Sequence, residues 1–142
     1  MENQNKMKIK KIDLQHVYYM PEQLKPGILY VSEAFSTAAH LCACGCGSKI
    51  RTPLSIVEWE LEATKNGPSL YPSIGNWQIT CRSHYWIRQG KIIWASAWSS
   101  EEVATGRLEE ENRRQSYFIK QNNLLEGTLQ RFYQWFKDLF RF

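Results

Sequence analysis

All four cysteines of the chain fall in two short clusters, and this limits the fold more than any other feature. The first cluster is His40-Leu41-Cys42-Ala43-Cys44-Gly45-Cys46-Gly47 and the second, after a long gap, is Cys81-Arg82-Ser83-His84. Two ligand-bearing turns far apart in sequence are how small β-rich domains build a tetrahedral zinc site. Glycines between the ligands let backbone N–H groups approach the sulfurs without a Cβ in the way. Thiolate and imidazole donors select zinc over calcium or magnesium. The residues alone leave the ligand set open. Cys42, Cys44, Cys46 and Cys81 make an all-thiolate site. His84 offers a Cys-x-x-His knuckle instead, and three cysteines at alternate positions are strained around one ion.

The redox setting agrees with metal binding. The N-terminal segment from Met1 to Lys11 is polar and basic with no apolar stretch after it, so it does not read as a secretion signal. No run of apolar residues is long enough to span a bilayer. A cytoplasmic, reducing location is expected, where clustered cysteines act as metal ligands or reactive thiols rather than disulfides. The pairing of His-x-Cys with Cys-x-x-His is similar to the Rieske iron–sulfur pattern, but its first loop carries the two ligand types in the reverse order. Zinc is therefore the expected metal.

The 142 residues suit one ordinary domain, and a composition of 43% hydrophobic and 23% charged residues is that of a globular chain. Six tryptophans supply large apolar surfaces for a core. The net charge of +4 is not concentrated in any stretch, which argues against nucleic acid as a partner.

Short strands and turns occupy the first two-thirds. Met7, Ile9, Ile12 and Leu14 alternate with polar residues, as in a half-buried strand. Further strands are expected at Ile28 to Val31, at Thr37 to Leu41, at Ile50 to Thr52 and across Ile56, Trp59 and Leu61. The cysteine-rich turn from Cys42 to Gly47 would close a hairpin. A loop is expected over Pro68 to Asn76. Tyr85 to Arg88, a Gln89-Gly90 turn and Lys91 to Ala95 read as a strand pair. The pattern changes at Ser99, where Ser99 and Glu102 fit a capping box. Glu109 with Arg113 and Glu110 with Arg114 have the spacing of a solvated helix face. A second helix is expected after Asn122-Asn123, with Leu125, Leu129, Phe132, Phe136 and Leu139 as its apolar row. Tyr133, Trp135, Phe140 and Phe142 widen that row, and Arg131, Lys137 and Arg141 lie on the other side. The fold class is thus α+β: a small, mostly antiparallel β domain over residues 1–98, with a zinc site made by two loops, then two C-terminal helices over residues 99–142. That extension either packs on the β domain or docks on a partner, including a second copy of the chain. Attachment to a membrane surface is the less favoured reading.

The second chemical signal is Tyr71-Pro72-Ser73-Ile74-Gly75-Asn76-Trp77. A proline before a serine and a glycine two residues after it fix a tight loop. Such a loop can hold a hydroxyl outward and aim backbone N–H groups at a developing oxyanion, and Asn76 offers a further donor. A serine needs a base to become a nucleophile. His84 and His40 are the candidates, and Glu33 and Glu58 are candidate acids to orient it. A structural turn packed beneath Trp77 would account for the same residues.

Taken in order, Gly27-Ile28-Leu29-Tyr30-Val31-Ser32, the 40–47 cluster, Pro72-Ser73-Ile74-Gly75-Asn76-Trp77 and Cys81-Arg82-Ser83-His84-Tyr85-Trp86-Ile87 resemble a bacterial cysteine-rich metal-binding family. Its members are encoded beside ubiquitin-like proteins and their activating and conjugating enzymes. The resemblance covers about residues 18–107. It implies a place in a ubiquitin-like modification pathway, linked to antiphage defence, with the ubiquitin-like protein and its conjugating machinery as partners. Some such operons carry a Jab-type zinc isopeptidase, but the Glu-His-x-His signature of that class does not occur here. The resemblance therefore implies a different chemistry, a zinc-stabilised serine peptidase that processes or removes the modifier. In that reading Cys42, Cys44, Cys46 and Cys81 hold zinc, Ser73 is the nucleophile and His84 is its base, with His40 as substitute. The alternative is a non-catalytic zinc-binding adaptor that recruits pathway components through Trp77, Trp86, Trp94 and the terminal helix.

Overall fold

The computed structural model describes residues 7–96 and 99–140. Met1 to Lys6, and Arg141 and Phe142 of the expected terminal helix, lie outside the described residues. The chain divides into two compact units, residues 1–99 and 100–142.

The first unit contains two four-stranded sheets that share one core. In the first sheet β1 (Asp13–His16) runs parallel to β2 (Ile28–Ser32), which pairs antiparallel with β3 (Thr37–Leu41), and β3 with β4 (Lys49–Pro53). The second is antiparallel throughout, in the order β5 (Glu60–Thr64), β6 (Gly67–Gly75), β7 (His84–Arg88), β8 (Lys91–Trp94). Leu29, Val31, Ala38 and Ile50 from the first sheet and Leu70, Ile74, Tyr85 and Ile87 from the second form one buried cluster with Ile12, Cys42 and Ala43. The segment before β1 ties the sheets together. Ile92 N–H donates to Lys10 C=O, Ile12 N–H to Gly90 C=O, and Ile9 N–H to Ala43 C=O in the cysteine turn.

The hairpin expected across the cysteine turn forms as β3 and β4. The Gln89-Gly90 turn also forms, with both residues at positive φ, 47° and 73°. That is the backbone of a type I′ turn, which matches the twist of its flanking strands. Ile56 lies outside any strand and is exposed; the strand expected around it starts only at Glu60.

The expected loop over Pro68 to Asn76 is instead most of β6, the longest strand of the unit. Composition misled here because two prolines usually exclude a central strand. The pairing shows how they are accommodated. Leu70 faces Ile87 and Ile74 faces Tyr85, so β6 spends four residues where β7 spends two. Tyr71, Pro72 and Ser73 bulge out of the β6–β7 ladder, which removes the need for a Pro72 N–H on that side, while Tyr71 stays paired with Glu60 of β5.

The second unit is one helix, α1 (Ser100–Leu139), where two had been expected. Asn122 and Asn123 cost a helix interior well under about 1 kcal/mol each, and no proline follows to break it. Gly106 and Gly127 are carried within the same helix. Its apolar row of Leu125, Leu129, Phe132, Phe136 and Leu139 is exposed, as are Phe118 and Trp135. Among the described residues no helix is long and apolar enough to cross a membrane.

Candidate active site and metal centre

Strand parity sets the first part of the site. Ile74, Tyr85 and Ile87 point into the core, so their neighbours Ser73, Gly75, His84 and Trp86 share the opposite face of the second sheet. Gly75 stands directly across from His84, and Ser73 is two residues before it on the same face. His84 Nε2 and Ser73 Oγ lie 2.8 Å apart. The bulge lifts Ser73 from the ladder beside the start of β7, where the imidazole reaches it.

Aromatic rings enclose the histidine. Trp77 meets the His84 ring edge to face at a centroid distance of 5.0 Å, and Trp86 lies against it at 5.5 Å. His84 is only 4% exposed despite facing away from the core. Burial pushes its pKa below the ordinary imidazole value. Glycine at position 75 makes this packing feasible. A Cβ there would come within 2.6 Å of Trp77 Nε1, well inside contact distance.

The second part of the site lies one turn away. Two turns project from the ends of different sheets: residues 42–48 between β3 and β4, and residues 76–83 between β6 and β7. The sulfurs of Cys42, Cys44, Cys46 and Cys81 meet there, all within 4.8 Å of one another. Cys42 Sγ is 3.4 Å from Cys44 Sγ and 3.9 Å from Cys81 Sγ. Four thiolates around a zinc ion, at a Zn–S distance of about 2.3 Å, would stand about 3.8 Å apart, so this cluster has the size of a tetrahedral site. Gly45 and Gly47, at φ 84° and 80°, bend the turn enough for alternate cysteines to converge, which resolves the strain expected from the spacing.

The electrostatics of the cluster agree with its geometry. Burial raises the Cys42 and Cys44 thiols above their ordinary pKa, whereas at Cys46 burial is outweighed by hydrogen bonding to Ser48 and its pKa is lowered to about 6. Four crowded sulfurs cannot all ionise on their own, and a bound cation removes that penalty by deprotonating them. The cluster is anchored from both sides. Ser83 Oγ lies 3.0 Å from Cys42 Sγ, and Asn76 Nδ2 donates to Ser83 Oγ at 2.8 Å and to Cys42 Sγ at 3.5 Å. Cys42 N–H donates to Ser48 C=O, and Asn76 N–H to Ser83 C=O.

The site thus holds a serine and a histidine in hydrogen-bond contact and a four-sulfur cluster drawn from turns of both sheets. The model of the bacterial ubiquitination-like system serine protease (BubE) family matches residues 16–95. The chain belongs to this family. No curated protein and no solved structure matches it. The BubE match runs from the last residue of β1 through β8 and so contains Ser73, His84 and all four cysteines, while α1 lies beyond it.

Within this BubE-family domain several expectations need correction. His40 is not beside the serine. It is fully buried on β3, and its Nε2 lies 2.7 Å from Tyr85 Oη. Neither His40 nor His84 is part of the four-sulfur group, so the knuckle with His84 as a ligand and the Rieske arrangement both lose their imidazoles to other partners. Asn76 turns its amide toward Cys42 rather than outward as an oxyanion donor. The Glu33 carboxylate lies near His16 Nδ1, at 3.6 Å. Trp77, Trp86 and Trp94 are half-buried rather than free recruiting surfaces, with Trp94 packed on Tyr85. Ser83 and Tyr85 carry contacts that the sequence reading passed over. Both flank His84, and their types, a small hydroxyl and a phenol inside a ligand-bearing segment, were the available signal.

Proposed function

We propose that this chain is a serine peptidase that processes or deconjugates a bacterial ubiquitin-like protein, with Ser73 as nucleophile and His84 as general base. The observation that carries the reading is the 2.8 Å contact between Ser73 Oγ and His84 Nε2. With its pKa lowered, His84 is neutral at pH 7 and can accept a proton. The scissile carbonyl enters beside the bulge. Ser73 Oγ attacks its carbon while His84 Nε2 takes the hydroxyl proton. Backbone N–H groups released from the ladder at the bulge hold the oxyanion. His84 then protonates the departing amine, the C–N bond breaks, and an acyl-serine remains. Water, deprotonated by His84, attacks that ester and frees the carboxylate and Ser73.

The four cysteines are the proposed zinc ligands. Zinc held by four thiolates keeps no open position, so it supplies structure rather than reactivity. These ligands would fix the turn of residues 42–48 to that of residues 76–83, from which β7 starts with His84. The helix, with its exposed apolar row, is the surface we propose for contact with the conjugation machinery. We place the activity in the bacterial cytoplasm and in antiphage defence.

The test is cleavage of a ubiquitin-like precursor by wild type and by Ser73→Ala. The variant should lose cleavage while retaining one metal per chain. Full cleavage by Ser73→Ala would remove the proposed nucleophile.

A further inference from the structure

Arg88 ends β7 on the outer face of the second sheet, the face of His84 and Trp86. Its Cζ lies 3.9 Å from the centre of the Tyr71 ring, and Tyr71 belongs to the bulge that carries Ser73. One nitrogen, Nη1, donates to the Leu70 C=O and to the Ile87 C=O. Those bonds and the ring contact hold the guanidinium in one orientation. Nε and Nη2 make no hydrogen bond among the described residues, and neither is sealed from solvent.

No carboxylate of the described residues comes within 4.0 Å of the Arg88 nitrogens. Glu62, on β5, accepts the Tyr71 hydroxyl at 3.3 Å instead. A half-buried cation, pinned at one nitrogen, thus keeps its other donors open. The two carbonyls do not require a guanidinium, because a lysine amine has donors enough for both. What arginine adds is a second edge, Nε–H beside Nη2–H, which matches the two oxygens of a carboxylate. With the side chain already held, ordering it on binding costs little.

We propose that Arg88 is a carboxylate-binding subsite of the peptidase, with the Tyr71 ring as its backing. Spacing sets where that carboxylate lies on the substrate. His84 and Arg88 stand about 13 Å apart along β7, at about 3.3 Å per residue. The guanidinium leans back over the bulge, so it lies nearer to Ser73 than that. An extended peptide crossing this face covers the distance in about two to four residues. The carboxylate is then an acidic side chain that far from the scissile bond, or the terminal carboxylate of a short leaving segment. The inference rests on the reading of Ser73 and His84 as a peptidase pair, and adds to it the charge that the substrate must carry.

The experiment uses the full chain and internally quenched peptides built on the tail of a ubiquitin-like precursor. One position at a time, within about four residues on either side of the cut, carries Asp or Asn. A further pair ends about three residues after the cut in a free or an amidated carboxyl group. Values of kcat/KM are read for wild type, Ser73→Ala, Arg88→Gln and Arg88→Lys, with metal content and far-ultraviolet circular dichroism beside them. In wild type the acidic member of one pair should be preferred roughly ten- to hundredfold, the scale of a hydrogen bond to a charged group. Preference at a side-chain position identifies an internal acid as the ligand, and preference for the free terminus identifies the end of the leaving segment. The ratio within each pair decides the case, since loss of the carbonyl contacts would slow both members alike. Arg88→Gln should bring that ratio to about one, and Arg88→Lys, which keeps the charge without the fork, should lose most of it. Ser73-dependent cleavage with no acidic preference at any position, or with an unchanged preference in either folded variant, would overturn the subsite and leave the peptidase reading standing. Cleavage that survives in Ser73→Ala would overturn the peptidase reading, and the subsite with it.

Discussion

Ser73 Oγ and His84 Nε2 meet at 2.8 Å because a bulge on β6 and the first residue of β7 bring them to the same face of one sheet. The relationship is built by pairing register. Gly75 opposite His84 leaves room for the Trp77 indole, which occupies the space a Cβ at position 75 would fill and rests on the imidazole. The core-facing residues of the same two strands, Ile74, Tyr85 and Ile87, are fixed by packing. The Ser73 hydroxyl and the His84 imidazole are thus presented by paired strands rather than by a loop.

Replacing His84 with Asn leaves a similar shape but no base. Cleavage of a ubiquitin-like precursor should fall by about 10⁴–10⁶-fold in kcat, comparable to loss of a member of a serine–histidine pair elsewhere. Metal content should be unchanged, because His84 lies outside the four-sulfur cluster. Steady-state kinetics with parallel metal analysis makes the check, and a variant retaining full kcat would deny His84 the role of base.

The pH profile follows from burial. In the proposed mechanism the neutral imidazole is the active form, and burial lowers the His84 pKa in the folded protein. Activity should therefore be full at neutral pH and disappear as pH falls through a value below the ordinary histidine pKa of 6.5. The folded-state shift has the same sign for stability. An imidazole buried neutral stabilises the fold above its unfolded pKa, and that contribution is lost as pH drops. A kcat/KM profile whose acidic limb lies above pH 6.5 would contradict the assignment.

Much of this arrangement was legible in residue order. The clustered cysteines pointed to a metal centre, and the 42–47 turn to a hairpin that the structure contains. Strand alternation in Tyr85 to Arg88 found β7. The nature of the Ser73 segment was not legible. Pro72 argues for a loop by every local rule, and only the register of β7 against β6 shows that a bulge accommodates it. The residues favoured His84 over His40 as the partner of Ser73 only through the family resemblance, since both histidines flank the cysteines. Burial of His40 against Tyr85 and the diagonal reach from His84 to Ser73 are tertiary facts. The continuous helix was misread because Asn122-Asn123 resembles a stop signal while its actual cost is small.

Cys81→Ser should uncouple the two turns. It leaves three sulfurs from residues 42–46 and removes the single ligand supplied by the second sheet. The metal should be lost or bound far more weakly. Binding energy at a structural site is folding energy, so a loss of at least about 3 kcal/mol is expected, equivalent to a fall in Tm of roughly 12–24 °C for a unit of this size. Chelation of the wild-type protein should reproduce the shift. Equal Tm values with and without metal would show that the cluster does not hold the sheets together.

Gly75→Ala separates the aromatic enclosure from the metal. The added methyl would come within 2.6 Å of Trp77 Nε1, so the indole must leave its seat against His84. The four cysteines are untouched, and metal content should stay at the wild-type level. His84 should become more exposed and less restrained, with kcat falling about tenfold, the scale of a displacement near 1 Å or less at a reacting group. Loss of enclosure also raises the imidazole pKa toward its ordinary value, so the acidic limb of the rate profile should move up. Tryptophan fluorescence would report the displaced indole directly. An alanine variant with altered fluorescence but wild-type kcat and pH profile would show that Trp77 merely covers the histidine and does not position it.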